Sequence, residues 1–344
     1  MQQLADDILA IISDYQNDFG FHITSHRIIE WANQFDVQDR EFVLKEFRHL
    51  LNQGIYLAKA KAKVQLRDRI EEMRVHYQYA TTNLFLSETV FLDLQKENKS
   101  QKHILTLLDE VLIESYGIHL IDSGKSVQKN FVYFDDGINT GGTLFYQIKN
   151  WLLEDNRLTR VSSRSIRLTV SVFYYHTWAW ENVKWRWKKE FENDQINNRV
   201  DLFYDYAIEN HLGFNNQRFN LAYPVDGQPG DVSGFLNQLH EGAINHPSKA
   251  CRPVNKPLKE TFFSSIANRN KFETILLVKG IDILSQVTKA NKQHRPLGDV
   301  SPSYKTYGTG TLFFTWRNIS NTCPLVFWWE GHGWHSLFPL QGRG

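Results

Sequence analysis

Apolar and polar positions along the chain of 344 residues open with three helical stripes. Leu4, Ile8 and Ile11/Ile12 recur at helical spacing, as do Ile28, Ala32 and Phe35 after Thr24-Ser25, and Val43, Phe47 and Leu50/Leu51 before Gly54. Ile55 to Val64 leaves two readings open. As a strand it puts Lys59, Lys61 and Lys63 on one face, the wing of a winged-helix-like module able to touch nucleic-acid phosphates. As the first turns of a helix it runs on through Arg67, Arg69 and Glu72. The pattern predicts a helical, winged-helix-like module over residues 1–96, with the polar run Gln95 to Lys102 as a junction.

Beyond that junction helix and strand patterns alternate. Ile104, Leu107/Leu108 and Val111/Leu112 predict a helix ended by Gly117, while Ile118–Ile121 and Phe131–Phe134 predict strands. Leu144, Ile148 and Trp151/Leu152 predict the next helix, and Ser165–Tyr175 and residues 200–206 further strands. Trp178, Trp180, Trp185 and Trp187 interleave with Lys184, Arg186, Lys188 and Lys189, which could stack bases. Trp180, Val183, Trp187 and Phe191 also fall at helical spacing, and a helix packed on the sheet is the more economical reading. The alternation predicts an α/β fold with a Rossmann-like parallel sheet over residues 97–215. Residues 216–344 read as a C-terminal extension packing on that core. Residues 207–250 read as irregular, Pro257–Gly280 as a long helix with the ion pair Arg269 and Glu273, and Thr311–Trp316 and Leu325–Trp329 as strands.

Composition excludes several classes. Lys and Arg number 39 against 38 Asp and Glu, a formal charge of +1, so no global field draws the chain to nucleic acid or membrane. Aromatic residues make up 14%, with 10 tryptophans, which predicts aromatic cores. Cys251 and Cys323 suit neither a disulfide framework nor a metal spacing, and His332 with His335 lacks a third ligand. With no signal-peptide pattern and no membrane-length apolar run, the expectation is a cytoplasmic protein without a membrane partner.

Candidate chemistry concentrates in Phe131–Thr143, read Phe-Val-Tyr-Phe-Asp-Asp-Gly-Ile-Asn-Thr-Gly-Gly-Thr. A buried strand delivers Asp135 and Asp136 to its C-terminal end, and a Gly/Thr turn feeds a helix beginning near Leu144. In an open parallel sheet ligands bind at that end of the strands, and amides at a helix N-terminus attract phosphate. Gly137, Gly141 and Gly142 would let the backbone approach an anion, with Asn139 in the same turn and the hydroxyls of Thr140 and Thr143 as donors. The adjacent carboxylates suit ribose hydroxyls, or the magnesium of a sugar pyrophosphate held through the ligand. Simple helix capping needs only one such residue, and a P-loop fails because His119 stands where Gly124-Lys125-Ser126 requires a glycine. The ligand expected is a phosphorylated ribose or nucleotide.

The segment resembles the 5-phosphoribosyl-1-pyrophosphate (PRPP) loop of type I phosphoribosyltransferases. By that resemblance Asp135 and Asp136 bind the ribose hydroxyls, Gly137 to Thr143 wrap the 5-phosphate, and Mg2+ accompanies the ligand. A second anion loop, for pyrophosphate, is then expected in Asp122–Ser126, where Ser123, Gly124 and Lys125 have suitable chemistry and Lys125 would stabilise the leaving group. The chain also resembles phosphoribosyltransferase-like proteins with a C-terminal extension from bacterial antiphage defence, through Glu-Thr-Phe-Phe before Arg269-x-x-x-Glu273 and the ending Arg317 to Trp329. Some of these accompany retron reverse transcriptases, which implies an effector beside a reverse transcriptase–RNA/DNA complex. The alternative is a non-catalytic nucleotide sensor or a nucleic-acid or partner-binding adaptor.

Overall fold

Residues 1–97, 99–192, 196–210, 218–239, 250–289 and 291–341 are described by a computed structural model. The first stretch of chain forms α1 (Gln2–Ile12), α2 (Ser25–Asn33), α3 (Arg40–Leu50), β1 (Tyr56–Leu57), α4 (Lys59–His76), α5 (Thr82–Ser87) and β2 (Thr89–Leu92). There follow α6 (Ser100–Tyr116), β3 (Asn130–Ile138), α7 (Gly142–Leu153), α8 (Arg157–Ser162), β4 (Arg167–His176), α9 (Thr177–Phe191) and β5 (Val200–Ile208). The last stretch carries α10 (Gly230–Phe235), α11 (Ile266–Ser285), β6 (Phe314–Thr315) and α12 (Leu325–Trp328).

Two compact units result, residues 60–208 and residues 1–59 with 209–344. The expected boundary after 96 falls instead inside one sheet, because Thr89–Leu92 pairs with Asn130–Tyr133. Four residues are too few for a strand period to show in sequence. The expected boundary after 215, and much of the stretch read as irregular, lie outside the described residues.

The unit of residues 60–208 is built on a four-stranded, fully parallel sheet in the order β2-β3-β4-β5, as the alternating pattern predicts. Successive side chains of a strand alternate faces. Phe131, Tyr133, Leu168, Val170 and Val172 join a core with Ile148, Trp151 and Leu152 of α7 and Val183 and Trp187 of α9. Trp180, Val183 and Trp187 are buried, which favours the packing reading of the aromatic-basic stretch. On the opposite face Arg69 of α4 lies over the Phe203 ring and Tyr77 donates to Asp201 at 2.8 Å.

Three local expectations are corrected. Over Ile55–Val64 the wing does not form and the long-helix reading holds: β1 pairs in parallel with β6, and helix α4 starts at Lys59 and runs to His76. Lys and Ala are good helix formers, and Ala62, Leu66, Ile70 and Met73 supply a buried stripe. Lys59 pairs with Asp18 at 2.9 Å, and Lys63 with Glu110 at 3.0 Å and Glu114 at 2.7 Å. Ile118–Ile121 is not a strand but runs into a short 3-10 turn, Leu120–Asp122; the neighbour of β3 on that side is β2. Leu325–Trp328 is a helical turn with all four side chains buried, and only Phe314–Thr315 of the expected Thr311–Trp316 strand is paired.

The other unit combines both ends of the chain. Trp31 stacks on Phe327 at 5.5 Å and donates to the carbonyl of Val326 at 2.7 Å. Phe47, Phe314 and Phe338 complete this aromatic core. Helix α11 starts later than expected, at the Ser265 cap, and continues past Gly280, where a Cβ would lie 2.7 Å from Pro296.

Candidate functional site

Strand β3 runs four residues further than expected, to Ile138, and carries both motif carboxylates on its C-terminal half. Asp135 is only 8% exposed, and both its oxygens accept hydrogen bonds. The Asp136 amide donates to Oδ1 at 2.9 Å, and Gln95 Nε2 donates to Oδ2 at 2.6 Å. Tyr133 Oη lies 2.9 Å from Asp135 Oδ2 and 2.7 Å from Gln147 Oε1. A phenol has one proton, so both neighbours are served together either when Asp135 carries a proton of its own or when the Gln147 amide turns its NH2 toward the phenol. Burial raises the Asp135 pKa to about 7, and the adjacent Asp136 adds to the rise. Asp136, on the opposite face of the strand, is half-buried.

Asn139 and Thr140 lead from β3 to Gly141, which caps α7 with a φ of +76°. Asn139 Nδ2 donates to the Tyr174 hydroxyl at 3.1 Å. Thr140 and Thr143 are exposed, and a Cβ on Gly142 would meet only Thr140 Oγ1, at 3.9 Å. The first turn of the 12-residue α7 thus opens outward with amides that lack intrahelical partners. The other two glycines serve packing: a Cβ on Gly137 would lie 2.3 Å from the Tyr174 ring, and one on Gly141 2.4 Å from Val183 Cγ2.

Ser123, Gly124 and Lys125 are not brought to this site. The amide of Gly124 donates to the Leu86 carbonyl at 3.0 Å and that of Ser126 to the Ser87 carbonyl at 2.9 Å, which seats the turn at the N-terminal end of β2. Asn130, at the start of β3, is about 16 Å from Asp135 at roughly 3.3 Å per residue. Gly124 is there for close approach, since its Cβ would lie 2.7 Å from Val90 Cγ2, and Lys125 pairs with Asp122. The sequence placed this turn after a strand that does not form.

What occupies the C-terminal end of β2 is the polar run read as a junction. Gln101 Oε1 accepts from the amides of Leu94 at 2.7 Å and Gln95 at 3.0 Å, and its Nε2 donates to the Phe134 carbonyl at 3.2 Å. These bonds hold Gln95 against Asp135 and place exposed Lys96 and Lys99 before the 17-residue α6. Thr-Val-Phe-Leu followed by a cation-bearing turn and a helix was the signal available for this loop, which lacks glycine.

Both Asp135 oxygens already accept hydrogen bonds, and no group of three His, Cys, Asp or Glu among the described residues could hold a metal. The residues would suit a magnesium carried by ligand phosphates, with half-buried Asp136 as the motif carboxylate left open to it. His176, at the end of β4, is buried and its pKa is pushed down to about 3, so it stays neutral. No helix among the described residues is long and apolar enough to cross a membrane. No curated protein and no solved structure matches the chain significantly. A parallel sheet with an Asp-Asp strand end opening onto a Thr-Gly-Gly-Thr helix start is joined by a family match over residues 28–340, and the chain belongs to the PRTase-CE family, phosphoribosyltransferases with a C-terminal extension.

Proposed function

We propose that the C-terminal edge of β3 binds PRPP or a related ribose phosphate, and that the protein transfers the phosphoribosyl group. The observation that carries the reading is the open first turn of α7 directly after Asp135 and Asp136. The 5-phosphate sits on the amides of residues 141–143, with Thr140 and Thr143 hydroxyls donating. Asp136 accepts from ribose hydroxyls; Asp135 orients the strand end and serves as their second acceptor when ionised. Lys96 and Lys99, at the N-terminus of α6, face pyrophosphate in place of Lys125. Magnesium bound with the ligand neutralises pyrophosphate charge. In transfer the C1–O bond to pyrophosphate breaks as the acceptor bonds to C1, and the acceptor gives up a proton; the chain's contribution is position and charge.

Calorimetric titration with PRPP, with and without magnesium, tests the site. Native protein is expected to bind and the folded Asp135→Asn/Asp136→Asn variant to lose binding; equal binding by both would overturn the assignment. A second reading, a nucleotide sensor without turnover, is favoured by the raised pKa of Asp135 and the displacement of Lys125. Binding without release of pyrophosphate in the presence of candidate acceptors supports it. The family resemblance further suggests a cytoplasmic effector of antiphage defence partnered with a retron reverse transcriptase–RNA/DNA complex. Phage plating on cells carrying native or doubly substituted protein reads that role.

A further inference from the structure

Packing on the sheet accounts for one face of α9 and leaves another to explain. Trp180, Val183 and Trp187, three and four residues apart, are buried on the core side, while Trp185 on the far side is 53% exposed. On α7, which shares that core, Tyr146 is 57% exposed. Two cations lie between these rings. Arg186 sits over the Phe145 ring at 3.7 Å and the Tyr146 ring at 5.1 Å, and Lys189 Nζ sits over the Trp185 ring at 4.4 Å. Arg186 and Lys189 are three residues apart, so one turn of α9 joins the two pairs into a single strip. The carboxylates of α9 are engaged elsewhere, Glu181 with Lys184 at 2.7 Å and Glu190 with Lys149 at 2.6 Å. Among the described residues no carboxylate pairs with Arg186 or Lys189, whose charges are turned onto rings instead. Single exposed apolar side chains need no explanation, but two large rings bracketing two unpaired cations form a pattern.

We propose that this strip is a track for single-stranded nucleic acid. Tyr146 and Trp185 are platforms on which bases stack, and Arg186 and Lys189 meet the phosphates that join them. The chemistry favours a single strand, in which unpaired bases follow one another through charged links. A duplex hides its base faces and an acidic peptide has none, so neither would use the rings. With a formal charge of only +1 on the whole chain, the attraction is local to the strip. Tyr146 shares an exposed helix face with Thr143, three residues earlier, so the track starts one turn from the beginning of α7. The inference goes beyond the ribose-phosphate reading and does not rest on it, since none of these four side chains belongs to that site.

Fluorescence anisotropy of a labelled oligothymidine, titrated with the full chain, tests the track. Native protein is expected to bind saturably at low salt, and Trp185→Ala and Tyr146→Ala each to weaken binding about tenfold. Trp185→Phe, which keeps a ring, should retain most of the affinity. Arg186→Gln and Lys189→Gln should each make the fall of log affinity with log salt shallower by about 0.7. Circular dichroism and melting curves confirm that every variant is folded. Failure of folded native protein to bind saturably, or equal binding by Trp185→Ala, would overturn the track. So would equally tight binding of the oligothymidine paired with its complement, or displacement by polyglutamate as effective as by unlabelled oligothymidine, because either needs the charges alone.

Discussion

Asp135 shows how one residue type takes its chemistry from its surroundings. Its folded pKa stands above the ordinary carboxylate value of 3.8, at about 7, because burial disfavours the charge. The stability contribution of such a group is fully present below the unfolded value and is lost as pH rises toward 7. Asp135→Asn removes the charge, so the variant's melting temperature relative to native protein should rise between pH 5 and pH 8; a fall across that range would contradict a raised pKa. Gly137→Ala forces a Cβ into the Tyr174 ring, and Gly141→Ala meets Val183 at a φ of +76°. Each should destabilise by about 1–3 kcal/mol in denaturant titration and weaken ribose-phosphate binding as the turn shifts. Lys125→Ala should leave PRPP affinity unchanged in calorimetry, since its turn lies at the far end of the sheet. The motif's order was legible in sequence; the reason for its glycines was not, because Tyr174 and Val183 reach them only through folding.

At the scale of elements, the long patterns were legible and the short ones were not. β4, β5, α6, α7 and α9 stand where apolar spacing predicts them, each with a clear period over nine or more residues. β2, with four residues, and α12, also with four, lack one. Helix α11 carries a different lesson. Arg269 and Glu273 read in sequence as an ordinary helix ion pair, and the structure buries both side chains fully. Arg269 donates to the carbonyls of Arg218 at 3.1 Å, Phe219 at 2.9 Å and Leu221 at 3.4 Å, and pairs with Glu260. Arg269→Met would leave Glu260 and those carbonyls without their cation, and the expected cost is about 3–5 kcal/mol in chemical denaturation. A loss under 1 kcal/mol would mean that the network is replaceable.

On the scale of the whole molecule, the chain leaves one unit at Lys59 and returns to it at Glu209. Trp31, Phe47, Phe314, Phe327 and Phe338 form one core from the two ends, and Tyr15 reaches the Pro339 carbonyl at 2.9 Å. Deleting residues 1–58 should therefore expose this core and leave the C-terminal segment protease-sensitive and aggregating; a soluble, protease-resistant product would show that the extension folds without the first three helices. The sequence by itself determined the α/β class, the parallel alternation and the Asp-Asp to Thr-Gly-Gly-Thr strand end, because helix periods, strand runs and turn chemistry are local properties of neighbouring residues. Only the tertiary structure decided that the polar run before α6 holds Gln95 on Asp135 and that Ser123–Lys125 lies at the opposite end of the strands. Those facts depend on which strands pair and in what register, and pairing is settled by burial between segments far apart in the chain.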